Sequence, residues 1–591
     1  MYLINEICSI FSREYQKNGD ALIIDNYILS PGDYVEFTLE DRGEDVEIFK
    51  VDKETDRFQD RYRKFAKMDC VSGLISMNKP IDSGKIVHSN NMYAFYVKKE
   101  NLDSTSGKLN VKVIDRYYDI LKNPESKYKS KPKSLELYLK FEKEKGKPDG
   151  ELIDKIRNWI KQNIYKIAER LNLNKTYLKL FYSTDQKNYE RESQRYIIPN
   201  VYNSTKYNIK IGDKVYGLPD FNMGLNSKKP YLDNKTRKSR LPVLVDSSTV
   251  SMEKKLFDSL LNYSAERKNY IYVGDDIEAV NYKDNRKTDF RGYFLRINKG
   301  KEVEIADYDS ITEYRYKLKE DIEVFPIVDR GIGKNFELSL GILSDIGDLK
   351  RKISEIFFNK YLENNFFTDA KDINLNDAKV KECLLRYRYG FYTWFYKGED
   401  FLVSKFWNRM TLYLLCNSIS KGNVNRAINQ FNLRHAVLGY FNDGKGGEKM
   451  GAVVENVRKN VDRKINIKED KKYEVEIESD REYHFCIGQL LNYFYSLNRS
   501  ASKNYSFINT IINARNVKVV RDKLRALFIK YDYAIQSSFR FNNMYYMVLS
   551  YEPEGEIDKD LIIAGFLCPN LIYKKSEDNN KKHNDTNKGE N

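Results

Sequence analysis

Residues 483–498, YHFCIGQLLNYFYSLN, set the structural class of the C-terminal part of this chain. Tyr483, Ile487, Leu490, Leu491, Phe494 and Leu497 recur at intervals of three and four, which puts them on one side of an α-helix. Val517, Val520, Leu524, Leu527 and Tyr531 repeat the pattern, and Ala564 to Leu567 close a last apolar run. Several such helices joined by short links predict an antiparallel bundle. Upstream, helical patterns run from about Asp348 to Tyr440. One of them, LLRYRYGFYTWFY at 384–396, is unusually aromatic. Most of it must be core or interface, because exposed it would invite aggregation; an aromatic platform for single-stranded nucleic acid is the other use of such a stretch.

The first 400 residues read differently. An amphipathic helix opens the chain, with Leu3, Ile7, Ile10 and Phe11 on one face. Short extended pieces follow at 21–24, 34–39 and 46–51, the last two forming a hairpin across the acidic turn EDRGED. Two helical patterns occupy 133–171, the second carrying Ile153, Ile156, Ile160, Ile164 and Ile167. Extended pieces recur at 177–182, 215–218, 241–245, 270–273, 294–297, 303–305 and 322–327. The expected fold is therefore α+β: a mixed α/β body over 1–400, then an all-α bundle over 401–575. Residues 576–591, SEDNNKKHNDTNKGEN, hold no apolar side chain and read as a disordered tail.

At 591 residues the chain is long enough for two or more domains. Lys and Arg number 101 against 86 Asp and Glu, for a formal net charge of +15. That balance suits nucleic acid, but Lys, Asn, Ile and Tyr are all abundant, as in an AT-rich genome, so position matters more than the total. Six cysteines stand singly with no CxxC pair, so no zinc knuckle is expected and the pattern fits a reducing cytoplasm. No apolar run approaches membrane-spanning length, and no membrane association is expected.

Two polar stretches stand out. Residues 222–240, NMGLNSKKPYLDNKTRKSR, carry Lys228, Lys229, Lys235, Arg237, Lys238 and Arg240 against one acid, Asp233. Gly224 and Pro230 make this a loop, and Tyr231 offers a flat face among the cations. Asn222 and Asn226 add donors. Such a loop suits a phosphate backbone and a stacked base, while a solvated surface loop is the plain alternative. The second stretch, within 61–91, gathers Asn78, Lys79, His88, Asn90 and Asn91. These reach base edges or phosphates, or else form an Asx-rich turn that bonds its own backbone.

Catalytic signatures are scarce. His88, His435, His484 and His583 form no HExxH pair, and no GxxxxGK[ST] loop exists. IYVGDD at 271–276 ends a strand in two carboxylates, Asp275 and Asp276, which suit a metal-dependent nuclease or nucleotidyl transferase. Carboxylate pairs after a strand are also common turn formers. GIGK at 331–334 is too short for a phosphate loop. A binding subunit without catalytic residues, cofactor or metal is the expectation.

The segments DRYRKFAKMDCVSGLISMNKPIDSGKIVHSNN (60–91), KKPYLDNKTRK (228–238), YHFCIGQLLNYFYSLN and YEPEGEIDKDLIIAGFL (551–567) resemble the large subunit of the type I-B CRISPR interference complex (Cascade). The similarity covers nearly all of the chain except its tail. It implies an antiviral defence role: contact with the 5′ handle of a guide RNA, recognition of the flanking motif (PAM) on double-stranded target DNA, and stabilisation of the R-loop. It implies backbone subunits, small helical subunits and a recruited helicase–nuclease as partners, with guide pairing rather than protein reading the target sequence.

Gly446, Gly447, Glu448, Lys449 and Met450 are encoded GGN-GGN-GAR-AAR-ATG. With A- and T-rich codons this reads as a ribosome-binding site spaced before a start codon. An internal start at Met450 would yield a separate product spanning 450–591, as the resemblance also implies; a flexible glycine loop is the alternative.

Overall fold

A computed structural model describes residues 3–103, 105–219, 244–299, 303–330, 338–442, 448–467, 475–498, 506–536 and 538–574. Strands gather in the N-terminal half and helices dominate the remainder, so the fold is α+β. The chain divides into two compact units: Met1–Tyr282 with Phe290–Thr312, and Lys283–Asp289 with Glu313–Asn591. The division falls near 312, whereas the hydrophobic pattern predicts it at 400. The reason lies in the aromatic stretch: Phe357 and Phe391 pack edge-on against Trp407, which ties the helices before 400 to the bundle after it. The tail at 576–591 lies outside the described residues.

In the first unit, strands β1 (Gly32–Phe37), β2 (Ile48–Val51), β3 (Ala94–Lys98) and β4 (Tyr177–Tyr182) form a sheet of order β2-β1-β4-β3. β1 and β2 make the expected antiparallel hairpin, while β4 runs parallel to β1. A parallel neighbour requires a long crossover, and the helices between them supply it. Helix Gly150–Ala168 buries its isoleucine face on this sheet, and Trp159 stacks on Phe37 at 3.8 Å. The acidic turn of the hairpin is held against that helix: Gly43 N–H donates to Asn163 Oδ1 at 2.9 Å and Trp159 Nε1 to Asp41 O at 2.7 Å. A buried ion pair, Lys179 to Asp69 at 2.7 Å, sits under the rings of Tyr34 and Tyr96. Residues 21–24, expected to be extended, instead form one helical turn, Ala21–Ile24. Four successive apolar residues carry no period, so their burial on the helix Ser247–Ala265 decides their conformation.

A small sheet of β5 (Ile209–Ile211), β6 (Lys214–Gly217) and β7 (Val245–Asp246) follows in order. The second four-stranded sheet holds β8 (Tyr270–Val273), β9 (Ile277–Val280), β10 (Phe290–Lys299) and β11 (Val303–Tyr314) in the order β11-β10-β8-β9. Helices Leu3–Asn18 and Ser247–Ala265 cover it, placing Ile7, Phe11, Leu256, Phe257 and Leu260 on Ile271, Leu295 and Ile297.

In the second unit, β12 (Lys317–Val324) and β13 (Gly341–Asp345) pair antiparallel. Ten helices are described, from Ile346–Phe358 to Lys559–Leu567. Side chains of Asp345, Asp377, Ser479, Asn516, Ser538 and Asp558 each accept from an N–H of the first turn that follows, fixing where those helices begin. Cys383, Cys486 and Cys568 are buried thiols pushed up by burial, as expected of small core residues. Among the described residues no helix is long and apolar enough to cross a membrane.

Candidate nucleic-acid interface

Asn222, Asn226, Lys228, Lys229, Tyr231, Lys235, Arg237, Lys238 and Arg240 lie outside the described residues, which stop at 219 and resume at 244. The frame on either side is described. β6 pairs with both β5 and β7, and Tyr202 forms a bridge with Pro219. Tyr202 OH donates to Val215 O at 2.8 Å and to Val245 O at 2.9 Å, joining the strand that precedes the segment to the strand that follows it. Asp246 caps the helix Ser247–Ala265. Described sheet elements thus precede and follow this part of the sequence.

The second polar stretch is a correction. Asn90 and Asn91 are fully buried. Asn90 Nδ2 donates to Val71 O and Gly73 O at 2.9 and 2.8 Å, and Asn91 Nδ2 to Ser72 Oγ at 3.3 Å. They close the end of helix Asp60–Ser72 against the chain leading into β3. His88 is held by Tyr177 OH and Lys85 O, and burial pushes its pKa down, so it stays neutral. Lys79 Nζ donates to Asn200 O and Tyr202 O at 2.7 and 2.5 Å. Asn90, Asn91 and His88 therefore hold the fold, and the Asx-rich reading is the one the geometry describes. Asn78 alone of the five is exposed.

Lys79 enters a cationic cluster with Lys127 and Lys131. Lys127 Nζ donates to Pro80 O, and Lys133 Nζ to Asn208 O at 2.6 Å. A carbonyl oxygen satisfies a donor without cancelling its charge. Lys127 is pushed down to about 8, first by burial and then by its neighbours Lys131 and Lys79. Lys129, Lys131, Lys206 and Lys214 are exposed around this group. Among the described residues, Glu125 shares the helical turn of Lys127, Glu136 faces Lys210 at 3.4 Å, and Asp213 sits at the β5–β6 turn. Glu253 is fully buried, and burial raises its carboxyl to about 8, so at neutral pH it subtracts little from the positive field. The arrangement is a set of ammonium groups gathered against residues 200–208, suited to an anionic polymer. The run YKSKPK at 128–133 was the available signal, with lysine at every second position.

Lys127 gives this surface a pH dependence of known sign. A phosphate beside it restores the charged form, so binding above about pH 8 takes up a proton. Duplex affinity should fall as pH rises from 7 to 9, and Lys127→Arg, which keeps a donor for Pro80 O but does not titrate in this range, should remove that component; titration calorimetry in buffers of different ionisation heat reads the proton directly. Folding runs the other way: the depressed pKa penalises the charged lysine, and the penalty lifts as pH rises through 8 towards 10.5.

The other candidate, Asp275 and Asp276, is the exposed turn of the β8–β9 hairpin, with Gly274 N–H donating to Asp276 O at 2.9 Å. Among the described residues no three His, Cys, Asp or Glu side chains gather to hold a metal ion. GIGK at 331–334 lies outside the described residues. No family model, curated protein or solved structure matches this chain.

Proposed function

We propose that this chain is a nucleic-acid-binding large subunit of an RNA-guided interference complex of type I-B, working in the cytoplasm. In this reading the first unit grips the 5′ handle of the guide RNA and the PAM-bearing duplex. The second unit meets backbone and small helical subunits and supports the R-loop for a recruited helicase–nuclease. The observation that carries the reading is the lysine group around residues 79, 127, 131, 133 and 206, gathered against the described residues 200–208. Cations held on short helices and turns position a phosphate backbone without themselves reading sequence. A product starting at Met450 would open on the first residue of the helix Met450–Ile465, which supports an internal start.

The test is direct. The purified chain, supplied with a guide carrying the repeat handle, should retain that RNA and retard duplex DNA while leaving single- and double-stranded DNA intact in Mg²⁺ or Mn²⁺. Metal-dependent cleavage abolished by Asp275→Asn with Asp276→Asn would overturn the reading in favour of a nuclease.

A further inference from the structure

Helices Ala378–Lys397 and Phe401–Ser420 form a hairpin that turns at Gly398, whose φ of +80° ends the first helix. The aromatic stretch at 384–396 divides across it. Phe391, Tyr392, Trp394, Phe395 and Tyr396 are buried, as is Trp407 opposite them. The outer side is different. Tyr389 is 54% exposed, Phe401 64%, Leu402 42% and Tyr413 39%. Tyr387 lies against Phe406 with ring centres 4.5 Å apart.

Cations stand beside these rings. Lys379 Nζ lies 5.3 Å from the Tyr413 ring, Arg386 6.0 Å from Tyr387, and Lys405 Nζ 4.9 Å from Phe401. Arg409 is exposed on the same helix as Tyr413. Along the outer face the acid is Glu382, shared between Arg386 at 3.8 Å and Tyr413 OH at 3.4 Å; Glu399 and Asp400 sit at the turn, Asp400 facing Lys319 at 3.5 Å. Three cations lie beside rings, with Arg409 exposed on the same helix as Tyr413, over a strip that, at 1.5 Å per helical residue from Lys379 to Gly390, is about 16 Å long.

Exposed rings of this number are costly unless something covers them. This pairing selects the cover. A flat base stacks on a ring while its phosphate meets the neighbouring cation, and this pair repeats along a strand at the spacing of nucleotides. An apolar protein knob would leave Lys379, Lys405 and Arg409 facing it without a counter-charge from the knob. We propose that the outer face of the 378–420 hairpin is a stacking surface for single-stranded nucleic acid, taking about three nucleotides. It lies in the second unit and does not depend on the lysine group of the first.

The experiment is fluorescence anisotropy of a labelled oligo-dT 20-mer with the full chain, over a series of salt concentrations. Tyr389→Ala, Phe401→Ala and Tyr413→Ala together should weaken binding about 100-fold with little change in the salt slope. Phe401→Tyr with Tyr413→Phe should retain binding, because the ring rather than the hydroxyl is needed. Lys379→Gln with Lys405→Gln should lower the slope by about 1.4. Melting temperature and near-ultraviolet circular dichroism establish that each variant is folded. Unchanged oligonucleotide affinity in the folded triple variant overturns the proposal. So does displacement of the oligonucleotide by polyglutamate at equal charge, which would identify an acidic protein surface as the partner. Glutamate at residues 129, 131 and 206 is the separate arm: it tests the first unit, and loss there with oligo-dT binding kept leaves this proposal standing.

Discussion

Replacing Lys129, Lys131 and Lys206 with glutamate should weaken duplex binding by about 100-fold at moderate salt and flatten the log–log salt slope by about 2.7. The chosen lysines are exposed, so the variant tests charge rather than folding. Lys127 and Lys133 are spared because their ammonium groups tie the chain to Pro80 O and Asn208 O. Each lysine that meets a phosphate releases about 0.9 of a counterion on duplex DNA, and three such contacts set the size of the change in slope. Reversal goes beyond removal, since a carboxylate at 131 would also pair with Lys127 and draw its proton affinity back up. The pH dependence of binding should therefore fade in the same variant. Filter binding at four salt concentrations, with glutamine at the same positions as a milder arm, measures both quantities. A slope that stays put in the folded protein would show that no phosphate sits at this surface.

Gly488→Ala should cost about 3 kcal/mol and lower the melting point of the second unit by about 6–12 °C. On propensity alone the sign would be the reverse, because alanine inside a helix is worth up to about 1 kcal/mol over glycine. Here the helices Asp480–Ser496 and Lys559–Leu567 meet backbone to backbone. A methyl at 488 would fall on the carbonyl oxygen of Ile562 and 2.6 Å from the Phe566 nitrogen, and one at 565 on the carbonyl oxygen of Phe485. Backbone atoms cannot rotate aside, so the helices must separate. Separation also strains the polar seam, where Gln489 Nε2 donates to Gly565 O at 2.6 Å and Asn492 Nδ2 to Phe566 O at 2.6 Å. Gly565→Ala should act in the same direction, and the double variant should cost less than the sum, since one separation relieves both clashes. Gly439→Ala is the control. It too lies in a helix, but nothing stands within 4 Å of its added methyl, so it should be neutral or stabilising. Calorimetry of the four variants decides the matter.

Sequence alone determined the parts of this protein governed by period and by local chemistry. The isoleucine ladder of 153–167, the hairpin at 34–51, the strand Tyr177–Tyr182 and the helices around 483–497 and 517–531 all stand where hydrophobic spacing put them, because burial of one face is a property of the segment. Tertiary structure decided what spacing does not encode. Ala21–Ile24 became a helical turn through its neighbours. Asn90, Asn91, His88 and Lys79 look the same in sequence whether a polar side chain faces water or a buried carbonyl; only the packed chain turned them inward. The same packing brought Lys79 beside Lys127, far along the chain, and set Lys379 over Tyr413, since charges and rings become a surface only when distant segments share one face.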